Sequence, residues 1–461
     1  MTVLMLPMAR HREMMDSPHG TAGHDPAQTG PDALPAATAS DDREKAAPSI
    51  AEAMQILDTS ERATALRAAG AEAARKDPAE AISLTASFTS EQDKLEFLRG
   101  IYSVWGDTDP VAALSHANAN FPAGIARSET IGIAINKWGS RDPRAAWLWS
   151  EENLSGPLKD QALTDVIIGW TRRSPGVAAN WLASTGNSSQ PLFYAAASTW
   201  AEQNALAAAT WAGTLTNSDT RRTAEIAVAS EWAAQRPAEA AEYYAAKVAA
   251  PDGAALATAI ADIWGTTQPA AAAEWIAALP AGPGRDEAAA TLATVWAASD
   301  IQAAIDWSTS LADNDVRRQV ITHIGTTWGA MEPDKALAWL DTLPAALATD
   351  GTIGAFNSWA ATDTAGLQQW VESNPPAPGM DQARLSLADV MAAKDITYSM
   401  DLAFQMSSQL GRDDAVARYY REWRKIDNDS AQEWLTQTWP QLAPTTQQRL
   451  TVEQYRPIVV R

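Results

Sequence analysis

The sequence predicts an all-α fold of about 13 antiparallel helix pairs, repeated with a period near 32 residues. Three observations predict it. Tryptophans recur at a fixed step, a helix-start signature recurs between them, and no stretch of strand-type alternation breaks the pattern.

The first series is Trp105, Trp138, Trp170, Trp200, Trp232, Trp264, Trp296, Trp328 and Trp359, at steps of 30 to 33. The same step reaches Met391 and Trp423 going forward and Ala73 going back. A second series lies eleven residues later: Leu84, His116, Trp149, Trp181, Trp211, Tyr243, Trp275, Trp307, Trp339, Trp370, Leu402 and Trp434. Chance does not keep two such series in phase over most of a chain, so the sequence is internally repetitive.

Each repeat then reads in order. Four residues after the first aromatic stand Asp77, Asp109, Asp142, Ser174, Asn204, Asp300, Asp363, Asp395 and Asp427. Most are good N-caps, whose side-chain oxygen accepts from a free N–H of the first turn. Pro78, Pro110, Pro143, Pro175, Pro237, Pro269 and Pro333 come next. Proline suits a first helical position because its missing N–H leaves no bond unmade there. A near-constant alanine follows at Ala81, Ala113, Ala146, Ala178, Ala208, Ala240, Ala272, Ala304, Ala336 and Ala431. A position held this small marks close approach of two helices. This first helix runs about eleven residues, as in DPRAAWLWSEENL, to a break often made of Pro or Gly. A longer helix opens near Lys94, Arg127, Lys159, Arg221, Arg285, Arg317 or Arg412 and ends at the next tryptophan. Neither helix can bury its apolar face alone, so neighbouring pairs must stack around one continuous core.

Two regions follow. Residues 1–48 mix Met, His, Pro, Gly and Asp with no sustained period and read as a disordered N-terminal tail. Residues 49–461 read as the helical repeats, with atypical capping repeats at both ends and Trp439, Pro440 and Pro444 interrupting the last.

The block Trp-Gly-x-x-Asp-Pro-x-x-Ala-x-x-Trp, as from Trp138 to Trp149, resembles the middle of a tetratricopeptide repeat. There an aromatic near the end of one helix precedes a turn, then a small residue and an aromatic on the next. The resemblance covers about 49–461 and departs from the family in its shorter period, its Trp in place of Tyr and Phe, and its Pro at a helix start. It is also similar to Trp-rich repeat proteins of unknown function that bacteria encode. The resemblance implies a right-handed α-solenoid with a concave face that binds protein segments.

Composition excludes several functions. There is no cysteine, which removes disulfides, thiolate zinc sites, Fe–S clusters and a Cys nucleophile. The net charge of −21 is spread along the repeats and argues against nucleic acid. No apolar run is long enough to insert in a membrane. Phosphate loops, dinucleotide fingerprints, zincin helices and nucleophile elbows are all missing. His11, His19 and His24 match no structured metal spacing, His116 fills an aromatic slot, and His323 lies inside a helix. No catalytic, cofactor or metal residue is expected, and none of these features makes an enzyme.

A stripe of small polar residues is the candidate ligand groove. Two positions before the first aromatic come Ser103, Asn136, Ser198, Ser230, Asp262, Thr294, Thr326 and Asn357, with Ile168 the exception. The stripe either bonds an extended ligand or lets helices pack closely with hydroxyls bonded to their own helix. The arginine pairs 172–173, 221–222 and 317–318 read as solvated residues pairing with nearby acids. Most tryptophans read as core, with indole N–H groups reaching turn carbonyls; Trp147 and Trp439 lie outside both series and read as candidates for exposure. The expectation is a non-enzymatic scaffold or adaptor binding a protein or peptide, basic or at least non-acidic, with no cofactor. The second expectation is an exported glycan- or cell-wall-associated solenoid. The expected compartment is cytoplasmic, or exported or periplasmic if the true start lies upstream.

Overall fold

The computed structural model describes residues 48–454 except Pro378; all but the last residue of the tail read at 1–48 lies outside the described residues. Among the described residues the fold is all-α, with 25 α-helices and no strand. The longer helices are α2 (Thr59–Lys76), α4 (Glu91–Thr108), α6 (Ile125–Gly139), α8 (Gly156–Arg173), α10 (Gln190–Thr214) and α11 (Ser218–Gln235). They continue as α13 (Ala254–Thr267), α15 (Pro283–Ser299), α17 (Asn314–Met331), α19 (Ala345–Thr362), α21 (Asp381–Met391) and α23 (Gln409–Ile426). The shorter ones are α1 (Ile50–Met54), α3 (Pro78–Leu84), α5 (Pro110–Asn120), α7 (Pro143–Asn153), α9 (Pro175–Ser184), α12 (Pro237–Val248) and α14 (Pro269–Ala278). Then come α16 (Ile301–Ser310), α18 (Pro333–Leu340), α20 (Thr364–Ser373), α22 (Ile396–Phe404), α24 (Asn428–Thr438) and α25 (Pro444–Gln454).

A single residue joins most long helices to the short one after it; three residues separate α6 from α7 and four separate α21 from α22. Asp109 shows how: its N–H bonds the Trp105 carbonyl at 2.8 Å, ending α4, and its carboxylate accepts from Ala112 N at 3.1 Å, starting α5. The same double role falls to Asp77, Asp142, Asp300, Asp363, Asp395 and Asp427, in an extended backbone conformation. Asn204 performs it inside α10, where φ −155° and ψ 89° split one continuous run into a long and a short helix. Ser174 takes the same backbone shape but makes no side-chain cap, and neither do Arg236, Gln268 and Glu332. Proline at the next position tolerates this, since one donor of the first turn is already gone.

Packing follows sequence order. Each long helix lies against the next long one, from α2 with α4 through α17 with α19 to α21, and each short helix sits on the long helices flanking it. Glycine sets the closest crossings. A Cβ on Gly100 would fall 2.1 Å from the Arg67 carbonyl oxygen, and one on Gly329 would fall 2.5 Å from the Ala355 Cα. The recurring alanines of the short helices are at most 1% exposed, which explains why nothing larger stands there.

The two aromatic series meet within each pair. Ring centroids of Trp170 and Trp181 are 5.0 Å apart, those of Trp264 and Trp275 5.8 Å, and those of Trp423 and Trp434 6.0 Å. Where His116 replaces the second tryptophan, it stays 5.3 Å from Trp105 and bonds the Tyr102 hydroxyl at 2.7 Å. Burial holds that imidazole below its ordinary pKa. All tryptophans are buried or half-buried. Trp147 corrects the expectation of exposure: it is 5% exposed and meets Trp181 edge-on at 5.1 Å. Trp439 is half-buried. The expected bonds from indole N–H groups to turn carbonyls are also corrected. The Nε1 atoms of Trp211, Trp232 and Trp264 are buried with no hydrogen-bond partner, and Trp328 Nε1 donates to the Glu332 carboxylate at 3.1 Å.

Candidate functional site

The stripe read from the sequence falls entirely on the row of long helices. Ser103 lies on α4, Asn136 on α6, Ser198 on α10, Ser230 on α11, Asp262 on α13, Thr294 on α15, Thr326 on α17 and Asn357 on α19. Every one is exposed or half-buried, and Ile168 holds the same place on α8. Because these helices lie side by side, the eight residues form one band across the row.

Several of the polar groups are already engaged. Asn136 donates to the Gly132 carbonyl at 3.1 Å, Ser198 to Ala195 at 3.3 Å, Thr294 to Ala290 at 3.1 Å and Thr326 to Thr322 at 2.8 Å. Such bonds to the preceding turn are the ordinary way to satisfy a hydroxyl in a helix. Two residues also reach the neighbouring helix. His323 Nδ1 lies 3.2 Å from Thr294 Oγ1, and the Ser386 hydroxyl donates to Asn357 at 2.6 Å. Thr326 packs so near Gly354 that a Cβ there would meet its hydroxyl at 2.0 Å.

Asp262 stands apart. The residue is exposed, its carboxylate takes no hydrogen bond and no ion pair among the described residues, and partial burial pushes its pKa up. Asp165, on the same side of α8, is raised by the same cause despite a bond from Gln161 at 2.9 Å. Glu231 and Glu287 lie on the same helices with no ion pair among the described residues. Cations are scarce here: α10, α13 and α19 contain no Lys or Arg, and those of α11, α15 and α17 sit in the first turn or just after it. Tyr194 on α10 is 41% exposed and adds an aromatic surface beside Glu231.

The basic residues that open the long helices have a local role that the sequence did not disclose. Arg62, Arg221 and Arg412 each donate to a carbonyl six residues earlier, in Ile56, Leu215 and Met406, at 2.8 to 3.0 Å. They latch the loop onto the helix it feeds. The arginine pairs do not form one row, since Arg172 and Arg173 end α8 whereas 221–222 and 317–318 begin α11 and α17.

Cavities open on both sides, one of about 500 Å³ among the long helices α15, α17 and α19. A cavity of about 450 Å³ opens between α14 and α16, lined by Ile276, Trp307, Leu311 and Val316. Another of about 390 Å³ lies between α9, the second half of α10 and the start of α11, against Phe193, Trp211 and Leu215.

Among the described residues no group of three or more His, Asp or Glu gathers as a metal site. No helix there is long and apolar enough to cross a membrane. These features define an all-helical protein of many packed, tryptophan-rich helix pairs. No protein-family model matches the chain, and no curated protein matches its sequence.

Proposed function

We infer that this chain is a non-catalytic binding scaffold, a right-handed α-solenoid of tetratricopeptide-like kind whose long-helix face holds an extended, cationic protein segment. One observation carries the reading. The middle of that face, from α10 to α17, presents Glu231, Asp262 and Glu287 with no Lys or Arg among them. A partly desolvated carboxylate without a counterion is a cost that a cation of a partner removes.

The packing supports the side. Long helices lie against one another in chain order, and the resemblance to tetratricopeptide repeats puts such a row on the concave surface. The half-satisfied Ser and Thr hydroxyls next to the acids suit the backbone of an extended segment, and Tyr194 suits an aliphatic or cationic side chain. No observation favours the glycan-binding reading, which requires exposed tryptophan.

The test is selection of random peptides on the purified full chain. Enriched peptides are expected to carry Lys or Arg, and the double variant Glu231→Gln, Asp262→Asn is expected to lose most of that enrichment. Enrichment of acidic peptides, or basic peptides retained equally by the variant, overturns the reading.

A further inference from the structure

A cavity of about 220 Å³ lies away from the ladder, where α11 and α13 begin and α12 ends. Its wall includes Ser218, Arg221, Arg222, Glu225, Lys247 and Asp252. Three cationic side chains around one cavity are unusual in a chain with a net charge of −21.

The charges are only partly cancelled in place, by Glu225 and Asp219. Lys247 is held by Glu225, itself buried, which fixes the ammonium at the cavity wall with N–H donors to spare. Arg221 gives one guanidinium nitrogen to the Leu215 carbonyl at 2.8 Å, so its fork is oriented while other donors remain. Arg222 has only a loose contact to Asp219 at 3.9 Å and is 64% exposed in its side chain. Asp252 is the one acid of the wall outside an ion pair among the described residues. The donors come from two separate helices, so they can close on one ligand from different sides. The Ser218 hydroxyl adds a neutral donor at the same edge.

Lys247 also breaks the repeat. The equivalent position, four after the second aromatic, is Asn120, Asn153, Thr185, Leu215, Leu279, Leu311 and Leu343 in other pairs, none of them charged. Arg222 and Lys247 therefore come together only in this pair.

We propose that this cavity binds a phosphate group, as inorganic phosphate or the head of a small phosphate monoester. A tetrahedral dianion matches several converging cationic donors better than a halide or a single carboxylate does. The volume exceeds that of the anion and leaves room for the group it is attached to. The site is separate from the long-helix band and does not depend on the peptide reading.

The experiment is calorimetric titration of the full chain at constant ionic strength with inorganic phosphate, O-phosphoserine, serine and acetate. Phosphate and O-phosphoserine are expected to bind, and serine and acetate are not. Tighter O-phosphoserine than phosphate identifies a monoester site; the reverse identifies a free-phosphate site. Arg222→Gln, which leaves the Arg221 latch intact, is expected to weaken binding about tenfold or more, with Arg222→Lys intermediate. An unchanged circular-dichroism melt of the variant shows that the loss is not unfolding. No phosphate binding by the wild-type chain, equal binding of acetate, or full binding by Arg222→Gln overturns the proposal. Asp262→Asn, a ladder variant, is expected to leave phosphate binding unchanged.

Discussion

Asp262 and Asp427 show how burial and hydrogen bonding act on a carboxylate in opposite directions. The folded pKa of Asp262 is raised above the ordinary 3.8 by partial burial, so the folded state holds that proton more tightly than the unfolded chain does. The charged form therefore costs stability, fully so at neutral pH, and the cost disappears once the pH is below the unfolded value. Asp427 runs the other way. The Ser430 hydroxyl and backbone N–H bonds lower its pKa, so its contribution is present above 3.8 and is lost as the pH falls through the lower folded value. Asp262→Asn is accordingly expected to raise the urea midpoint at pH 7, with the gain shrinking to nothing near pH 3. An unchanged or lowered midpoint at pH 7 contradicts a desolvated carboxylate at this site.

Among the elements, the single-residue joint decides what could be read without coordinates. Its N-cap chemistry, the proline after it and the fully buried alanine all recur at fixed spacing, so the helix pairs were legible in the sequence. Exposure was less legible, and Trp147 shows why. It belongs to neither tryptophan series, yet five residues after the cap Asp142 it takes the slot of Leu114 and Ala179, both buried. The arginine latches were visible as residues but not as latches, because the carbonyl they reach is set by how the loop turns. Bonds of the stripe's hydroxyls to their own helix were one of the two readings the sequence offered. The cross-helix partners His323 and Ser386 were hidden, because spacing gives a helix face and not the partner of each group. The joints also leave room for improvement. Gln268 has the cap backbone but no cap bond. Gln268→Asp is expected to stabilise the chain by about 0.5–2 kcal/mol, read as a higher urea midpoint. No gain there means that the first turn of α14 is satisfied in another way.

Across the whole molecule, strong contacts among the described residues join only elements adjacent or next-but-one in the chain. Stability is then close to a sum of pair and interface contributions. The interior supports this, since buried side chains form a large first run from Ala69 to Ile324, a second from Phe356 to Leu450, and two small clusters around Leu66 and around Leu340. A defect should therefore be felt where it is placed. Trp264 is 7% exposed and packs on Trp275 in the middle of the first run. Trp264→Ala is expected to cost about 3–5 kcal/mol locally. In hydrogen exchange it should deprotect α11 to α15 first while α2 to α6 and α21 to α24 stay near wild type. Trp423→Ala, in the second run, should spare α11 to α15 and open α21 to α25. If both variants instead lose protection evenly along the chain, the molecule unfolds as one cooperative unit, and the picture of neighbour-only coupling is wrong.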